Sequence, residues 1–395
     1  MVPDATGLNN QIDSNSMAKS TCKSVQDVRE LLESEGSSGD EETVKKLQKS
    51  FAQINAVYVG RAEHLFTLML SLADLYDNIP ELASMNFQKR GAPFKYTNGL
   101  IFAIATLRSA FALDYRTCEG MARVFLRRTG GDAPCYTQIW RRVNSLDISI
   151  KDGLAEPELD GMSITLIPDG TGLTPAERSE YIRVVHKLRR GFLRLVIVIN
   201  RKTQEIVSHS LTDEKTGEPT VFEDIIEQSL VNIGIDPDER RRQVRAERRK
   251  KRKTYRPLRI IADGGFDTRK IFSFCRALDI TPDIRVQTNS NARADGVDRA
   301  RSEVVLEQLG GSKNTTPAEL AAMTEAEREE NRKKWKKTVE YGTRWIVEIV
   351  ISAFKRTYGG AVMSKKMEYI RQEIRQKICV YNKMLRVGQE ASMNV

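Results

Sequence analysis

The chain has 395 residues, and its 63 lysine and arginine residues outnumber 53 aspartate and glutamate residues to give a formal net charge of +10. This length allows two domains with a substantial hydrophobic core, and the basic balance favours a polyanionic partner. Five scattered cysteines without a CxxC pair argue against a disulfide framework or a structural zinc site, and no apolar run is long enough to cross a bilayer.

The N-terminal part of the chain predicts a tail followed by helices. Residues 1–40 are poor in aromatic residues and rich in Ser, Asn, Gly and acids, which is typical of disorder. Residues 41–150 have helical patterns, with predicted helices at 96–112, from Asp114 onwards and at 136–143.

The last two of these helices flank a Gly-Pro break, and the second carries two arginines, Arg141 and Arg142. We predict that 41–150 is a DNA-binding or oligomerisation region with a helix-turn-helix-like element, in which both arginines contact DNA. The alternative is a helical bundle that packs on the rest of the chain. Trp140 is predicted to lie in the core in either case.

Residues 151–395 predict an α/β domain with a mixed sheet. Strand-like runs at 162–169, 193–200 and 205–211 form a meander, after which a helix at 221–233, a strand at 259–262 and a helix at 268–278 alternate. Between them, residues 240–256 contain eleven lysine or arginine residues and a single acid. This basic run is expected either to contact a phosphate backbone or to be a solvated helix.

Two aspartates stand at the predicted ends of strands. Asp169 follows the first run and enters a Gly-rich turn, and Asp263 follows the run at 259–262 and precedes two glycines. Glycine lets a ligand approach the backbone closely, although an Asp-Gly pair after a strand is also a common turn.

A third carboxylate lies in an apolar stretch near the C-terminus. Read as one helix, residues 341–355 place Tyr341, Arg344, Glu348 and Lys355 on one stripe, and the other faces are mostly apolar. We expect this helix to be buried, so that Glu348 needs Arg344 or a metal ion as a partner. An ordinary buried ion pair is the alternative. Together with the two aspartates, Glu348 would complete the three carboxylates that a two-metal phosphoryl-transfer site requires.

The spacing of these four residues resembles the Tyr-Arg-Glu-Lys signature of DDE transposases from bacterial and archaeal insertion sequences of groups four and five. Asp169 in LIPDGTG and Asp263 in IIADGGFD resemble the first and second catalytic aspartates of that family. The segment with Lys187 and Arg190 resembles the one after the first aspartate. The chain departs from the family after the strand that follows the second aspartate, where a basic Arg/Lys-Asn turn is replaced by residues 285–289.

The resemblance implies an RNase H-like catalytic domain, with about five strands in a mixed sheet flanked by helices. It implies a DNA transposase in which Asp169, Asp263 and Glu348 are catalytic and bind two Mg²⁺ ions, with Mn²⁺ able to substitute. Five residues are implied to bind DNA in this domain, namely Tyr341, Arg344, Lys355, Lys187 and Arg190.

The expected partner is double-stranded DNA, comprising the element ends and the target, bound by a homodimer at the nucleoid in the cytoplasm of a prokaryote. Two alternatives remain at this stage. One is a nuclease of the same fold that hydrolyses DNA without joining it, and the other is a catalytically silent DNA-binding protein derived from a transposase.

Overall fold

A computed structural model describes residues 41–127, 130–154, 163–175, 192–247, 255–286, 299–311, 315, 319 and 322–394. The tail predicted at 1–40, the residues Lys187 and Arg190, and the loop after Val286 lie outside these ranges. The chain divides into two units, one of Met1–Glu63 with Val387–Val395 and one of His64–Arg386. The domain boundaries expected at residues 40 and 150 stay predictions.

The described part of the smaller unit consists of the ends of two helices. Helix α1 is Glu41–Leu70, and the last helix is Met367–Met393. Two glycines allow these ends to approach closely, since a Cβ atom on Gly60 would lie 2.6 Å from the Cβ of Ala391, and one on Gly388 would lie 2.9 Å from a side-chain carbon of Val57. Larger residues at either glycine would push the helices apart.

The larger unit contains a mixed sheet, whose strands in chain order are β1 Ile164–Pro175, β2 Leu193–Asn200, β3 Ile206–Asp213, β4 Leu258–Ala262, β5 Ile280–Ile284 and β6 Ala361–Val362. The spatial order is β3-β2-β1-β4-β5, and β6 pairs with the far end of β1. Strands β1, β2 and β3 are antiparallel neighbours, while β4 is parallel to β1 and β5 is parallel to β4. The predicted α/β mixed sheet is confirmed.

The first strand runs past Asp169, so the prediction that it ends there in a turn was wrong. Its pairing with β2 continues from Asp169 opposite Ile197 to Leu173 opposite Leu193. Strand β4 pairs with β1 only from Ile164 to Leu166. Asp169 therefore lies where one neighbouring strand has ended and the other continues.

Helices cover both faces of the sheet. Further helices in this unit are α2 Leu72–Tyr76, α3 Ile79–Asn86, α4 Asn98–Ala110, α5 Tyr115–Arg127, α6 Tyr136–Ser145, α7 Phe222–Asn232, α8 Pro237–Glu247, α9 Arg269–Ala277, α10 Arg299–Gln308, α11 Glu325–Thr338 and α12 Trp345–Tyr358, and the last helix, introduced above, is α13. One hydrophobic core joins the sheet to α7, α9 and α10, and a second joins the opposite face to α12 and α13. None of the described helices is long and apolar enough to cross a membrane.

The helical region before the sheet has its own core, formed mainly by α4, α5 and α6. Asp114 caps α5 by accepting hydrogen bonds from the backbone amides of Arg116 and Thr117, at 2.8 and 3.0 Å. Helix α6 packs on α13, where the rings of Trp140 and Tyr369 lie 5.4 Å apart. Trp140 is 38% exposed, so its predicted place in the core was wrong. The contact with α13 agrees with the bundle alternative.

Candidate active site

Asp169 of β1 lies level with Asp263, the residue that directly follows the parallel neighbouring strand β4. Leu166 of β1 is paired with Ile260 of β4, and each aspartate follows its member of this pair by three residues. Because side chains alternate along a strand, both aspartates share a face with Ile167 and Ile261, which pack in the core under α12. The strand register thus places two carboxylates beside the helix that carries Glu348.

Local hydrogen bonds orient the two aspartates. The Asp169 carboxylate accepts a hydrogen bond from the backbone amide of Gly170 at 2.9 Å. The Asp263 carboxylate accepts one from the backbone amide of Gly265, also at 2.9 Å, and caps a 3₁₀ turn at Gly264–Phe266. The second carboxylate oxygen of each aspartate is not used in these bonds.

Residues 341–355 form a 3₁₀ turn at Tyr341–Arg344 followed by α12, not one continuous helix as predicted. Tyr341 anchors the turn, because its buried hydroxyl donates a hydrogen bond of 3.0 Å to the carbonyl of Ala262, the residue before Asp263. Its ring lies 5.4 Å from that of Trp335, and burial raises the pKa of Tyr341 to about 12. The phenol therefore stays protonated and ties the turn to the end of β4.

Helix α12 is buried along one face only, so the prediction of a mostly buried helix was wrong. Its core contacts come from Val347, Val350 and Phe354, whereas Trp345 is 56% exposed. The Glu348 side chain is 55% exposed. Glu348 is therefore not paired because it is buried. It pairs with Arg344 because the two side chains lie four residues apart.

Arg344 connects two of the three carboxylates. One guanidinium nitrogen lies 3.4 Å from Oδ2 of Asp169, and the other donates a hydrogen bond to Oε1 of Glu348 one helical turn away. Burial raises the pKa of Asp169, the Arg344 charge lowers it, and the nearby carboxylates of Asp263 and Glu348 raise it further. A single guanidinium group thus contacts the carboxylates of Asp169 and Glu348.

An open cleft of about 490 Å³ lies beside these groups. It is lined by Asp169, Gly170, Glu348, Ile351, Ser352, Lys355 and Arg356. Asp169 and Glu348 therefore make one wall acidic, and Lys355 and Arg356 add two positive charges further along α12. A cation between the acids and an anion near the lysine and arginine would both be stabilised by charge.

In the part of the chain that the structure describes, no three His, Cys, Asp or Glu side chains are placed so that they could hold a metal ion. At the cleft, the guanidinium group of Arg344 contacts the carboxylates of both Asp169 and Glu348. The donor chemistry nevertheless suits Mg²⁺ or Mn²⁺, which prefer carboxylate oxygens. A divalent cation beside Asp169 would offset the effects of burial and of the Asp263 and Glu348 charges, all of which raise its pKa.

The predicted DNA-binding residues have different surroundings. Lys355 lines the cleft, and Arg141 is exposed on α6. Arg142 is engaged within the protein, where it donates hydrogen bonds to the carbonyl of Tyr96 at 3.1 Å and to the side chain of Asn98 at 2.7 Å. In the basic run, Arg240 is buried and donates hydrogen bonds to backbone carbonyls, among them that of Leu278 at 2.9 Å.

Sequence reasoning missed one acid near the cleft, Glu218. It begins a 3₁₀ turn at Glu218–Val221 between β3 and α7, and its carboxylate lies against Gly170. The only signal in the sequence is an acid in the turn that follows the meander, which is too common to single out a site.

Comparison with known proteins identifies the family. A family model described as a transposase DDE domain matches residues 163–383, more than half of the chain, and a second model with the same description matches residues 68–175. Among solved structures, the Drosophila P element transposase strand transfer complex is similar with a TM-score of 0.29 and 11% sequence identity, over 81% of this chain and 85% of that chain. No curated protein sequence matches this chain. The two family matches show that the chain belongs to the transposases with a DDE domain.

Proposed function

We propose that this transposase cuts DNA at the terminal inverted repeats of an insertion sequence and joins the released ends to target DNA, using divalent metal ions. The proposal rests on Asp169 and Glu348, which line one cleft of a transposase DDE domain, and on Asp263, which follows the neighbouring strand at the level of Asp169. Carboxylates from two strands and one helix supply the acidic ligands that phosphodiester chemistry of this kind requires.

In this proposal, Asp169, Asp263 and Glu348 hold two Mg²⁺ ions, with Mn²⁺ able to substitute. When bound, such ions activate the attacking oxygen and stabilise the leaving oxygen of a phosphodiester. The strand register keeps Asp169 and Asp263 level, and Tyr341 holds the turn that leads to Glu348. The protein thus contributes mainly fixed positions and charge, as is usual for phosphoryl transfer.

The partner we propose is double-stranded DNA, bound as element ends and as target. Lys355 and Arg356 follow Glu348 by about two turns on the cleft side of α12, where they would meet phosphates. Arg344 would exchange its carboxylate partners for a phosphate once cations neutralise the acids. A homodimer is expected in the DNA complex, because two element ends must be held together for joining.

The test uses the full chain and a plasmid that carries the coding region with its flanking DNA, incubated with Mg²⁺ or with EDTA. Wild-type protein is expected to make metal-dependent breaks at the element boundaries and, with target DNA, joined products. Asp169→Asn, Asp263→Asn and Glu348→Gln should each lower cleavage by at least about a thousandfold while DNA affinity stays within about twofold.

The matched control is Glu223→Gln, which makes the same charge change on α7 at a residue paired with Lys270. It should cleave like wild type. Cutting without any joined product would instead indicate a nuclease of the same fold. Specific DNA binding without cutting under any metal condition would indicate a silent DNA-binding derivative and would overturn the proposal.

A further inference from the structure

Glu218 lies against Gly170, the residue after Asp169, although it is distant from it in sequence. Its turn joins β3 to α7, and its side chain is 25% exposed. A Cβ atom on Gly170, the residue after Asp169, would overlap the Glu218 carboxylate. The absence of a side chain at residue 170 is therefore what allows this fourth acid to reach the strand that carries Asp169.

The charges around Glu218 place it in the same electrostatic environment as the aspartates. Burial raises the pKa of Glu218, the Asp169 carboxylate raises it further, Arg194 lowers it, and Asp263 adds a smaller upward effect. The Asp169 carboxylate, next to the glycine that Glu218 contacts, thus disfavours the charged form of Glu218. A cation shared between the two carboxylates would favour it.

The present partner of Glu218 is weak. The nearest guanidinium nitrogen of Arg194 lies 3.9 Å from Oε1, beyond hydrogen-bond distance, and Arg194 also donates a long hydrogen bond of 3.5 Å to the carbonyl of Glu214. Among the described residues, no donor forms a hydrogen bond to the Glu218 carboxylate. A half-buried acid in this state has oxygen lone pairs available for another ligand.

We propose that Glu218 is a fourth acidic ligand of the divalent-cation site, acting beside Asp169 from the opposite face of the sheet. This inference rests on the proposed function, since it extends the same site. It assigns a role to the turn after β3 and to the missing side chain at Gly170, neither of which the three predicted acids require. Arg194 then serves as the counter-charge that the carboxylate leaves when a cation binds.

The test measures Mn²⁺ binding to the full chain, with and without DNA. The electron paramagnetic resonance signal of free Mn²⁺ reports how much of the ion is bound. Glu218→Gln is expected to raise the Kd for Mn²⁺ by at least about tenfold, the loss typical of altering a metal site. Gly170→Ala should also raise it, because the added methyl group displaces the Glu218 carboxylate without changing any charge. Thermal melting of each variant checks that it is folded.

Three controls separate the explanations. Glu223→Gln should bind Mn²⁺ like wild type, because its partner is Lys270. Gly172→Ala should do so as well, since the new methyl group would meet the ring of Phe192, not an acid. Arg194→Gln should bind Mn²⁺ at least as tightly as wild type; a tenfold loss there would mean that Glu218 acts only by holding Arg194, and would overturn the inference.

The outcomes also separate this inference from the proposed function. If Asp169→Asn loses Mn²⁺ while Glu218→Gln retains wild-type affinity, Glu218 is not a ligand and the three-acid site remains. If the wild-type chain binds no Mn²⁺ even with DNA present, both proposals fail. Loss in both Glu218→Gln and Gly170→Ala, with the controls unchanged, supports a four-acid site.

Discussion

Arg344 is the residue on which the charge balance of the cleft depends. Its guanidinium group keeps its charge at all relevant pH values and lies between the carboxylates of Asp169 and Glu348. A divalent cation bound to the same carboxylates must compete with it. Under the proposed function, Arg344 is an internal cation at the place where a metal ion would bind.

We predict that Arg344→Gln tightens Mn²⁺ binding to the DNA-free protein by roughly threefold to tenfold, on the order of 1 kcal/mol for a partly exposed ion pair. The same variant should cleave more slowly, because it would lose the phosphate contact proposed for Arg344. Calorimetric titration with Mn²⁺ measures the first effect. Arg356→Gln, which removes a charge from the same cleft but not from between the acids, is the control. Weaker Mn²⁺ binding in Arg344→Gln would show that the guanidinium group shapes the site and does not compete.

At the level of single residues, the sequence singled out Asp169, Asp263 and Glu348. In the structure Asp169 and Glu348 line one cleft, and Asp263 follows the strand next to Asp169. Sequence could not give the exposure of Glu348, because an apolar helix leaves open which of its faces meets the core. Nor could it give Glu218, whose place depends on a tertiary contact with Gly170.

At the level of elements, the turn before α12 is attached to the end of β4 by a buried hydrogen bond. Tyr341 donates it to the carbonyl of Ala262, and both groups are buried. We predict that Tyr341→Phe lowers the free energy of unfolding by about 1 kcal/mol, because a buried carbonyl loses its donor. Because the hydroxyl is already used inside the protein, DNA affinity should not change. Urea unfolding and a DNA-binding titration measure the two effects, and a large loss of DNA affinity without loss of stability would restore the predicted DNA contact of Tyr341.

Strand β3 carries a buried histidine whose protonation opposes folding. Burial, together with the smaller effects of the Arg375 and Arg371 charges, lowers the pKa of His209 from 6.5 to about 4. Its Nδ1 atom finds no hydrogen-bond partner among the described residues. The unfolded chain therefore binds a proton at a pH where the folded chain does not.

We predict that this histidine makes stability fall as the pH drops from about 6.5 towards 4. The folded-state pKa is depressed, so the unfolded state gains protons first and the loss amounts to roughly 3 kcal/mol over that window. His209→Gln lacks the titration, so the gap in unfolding free energy between the two proteins should change by that amount between pH 7 and pH 4. A gap that is independent of pH would mean that His209 titrates normally in the folded protein.

Several elements follow directly from the pattern of residues, and others do not. The predicted strands at 193–200 and 259–262 and the helices at 221–233 and 268–278 match β2, β4, α7 and α9 to within one residue at each end. The end of β1 was misplaced because its last residues are stabilised by pairing with β2, and Gly170 and Gly172 look like a turn without that partner. The strand propensity of a short segment does not include hydrogen bonds to a strand that is distant in sequence.

At the level of the whole molecule, the order of the sheet determines where acids meet. The crossover from the meander to β4 places β4 against β1, so residues far apart in sequence become neighbours at the same register. The mixed sheet was predictable from the meander and its later alternation with helices. The packing of α1 against α13 in the smaller unit was not predictable, because it depends on close contacts at Gly60 and Gly388.

The net charge of +10 predicts salt-sensitive DNA binding, but individual cations should contribute unequally. Each phosphate contact adds about 0.9 to the magnitude of the slope of log K against log salt concentration. We predict that Lys355→Gln lowers that magnitude by about 0.9, since Lys355 lines the cleft.

Arg142→Gln should leave the slope unchanged and destabilise the fold instead, because its guanidinium group is bonded to Tyr96 and Asn98. Fluorescence anisotropy with labelled DNA between about 50 and 200 mM salt measures both slopes. A reduced slope for Arg142→Gln with unchanged stability would show that Arg142 leaves its internal partners to bind DNA, as the helix-turn-helix hypothesis requires.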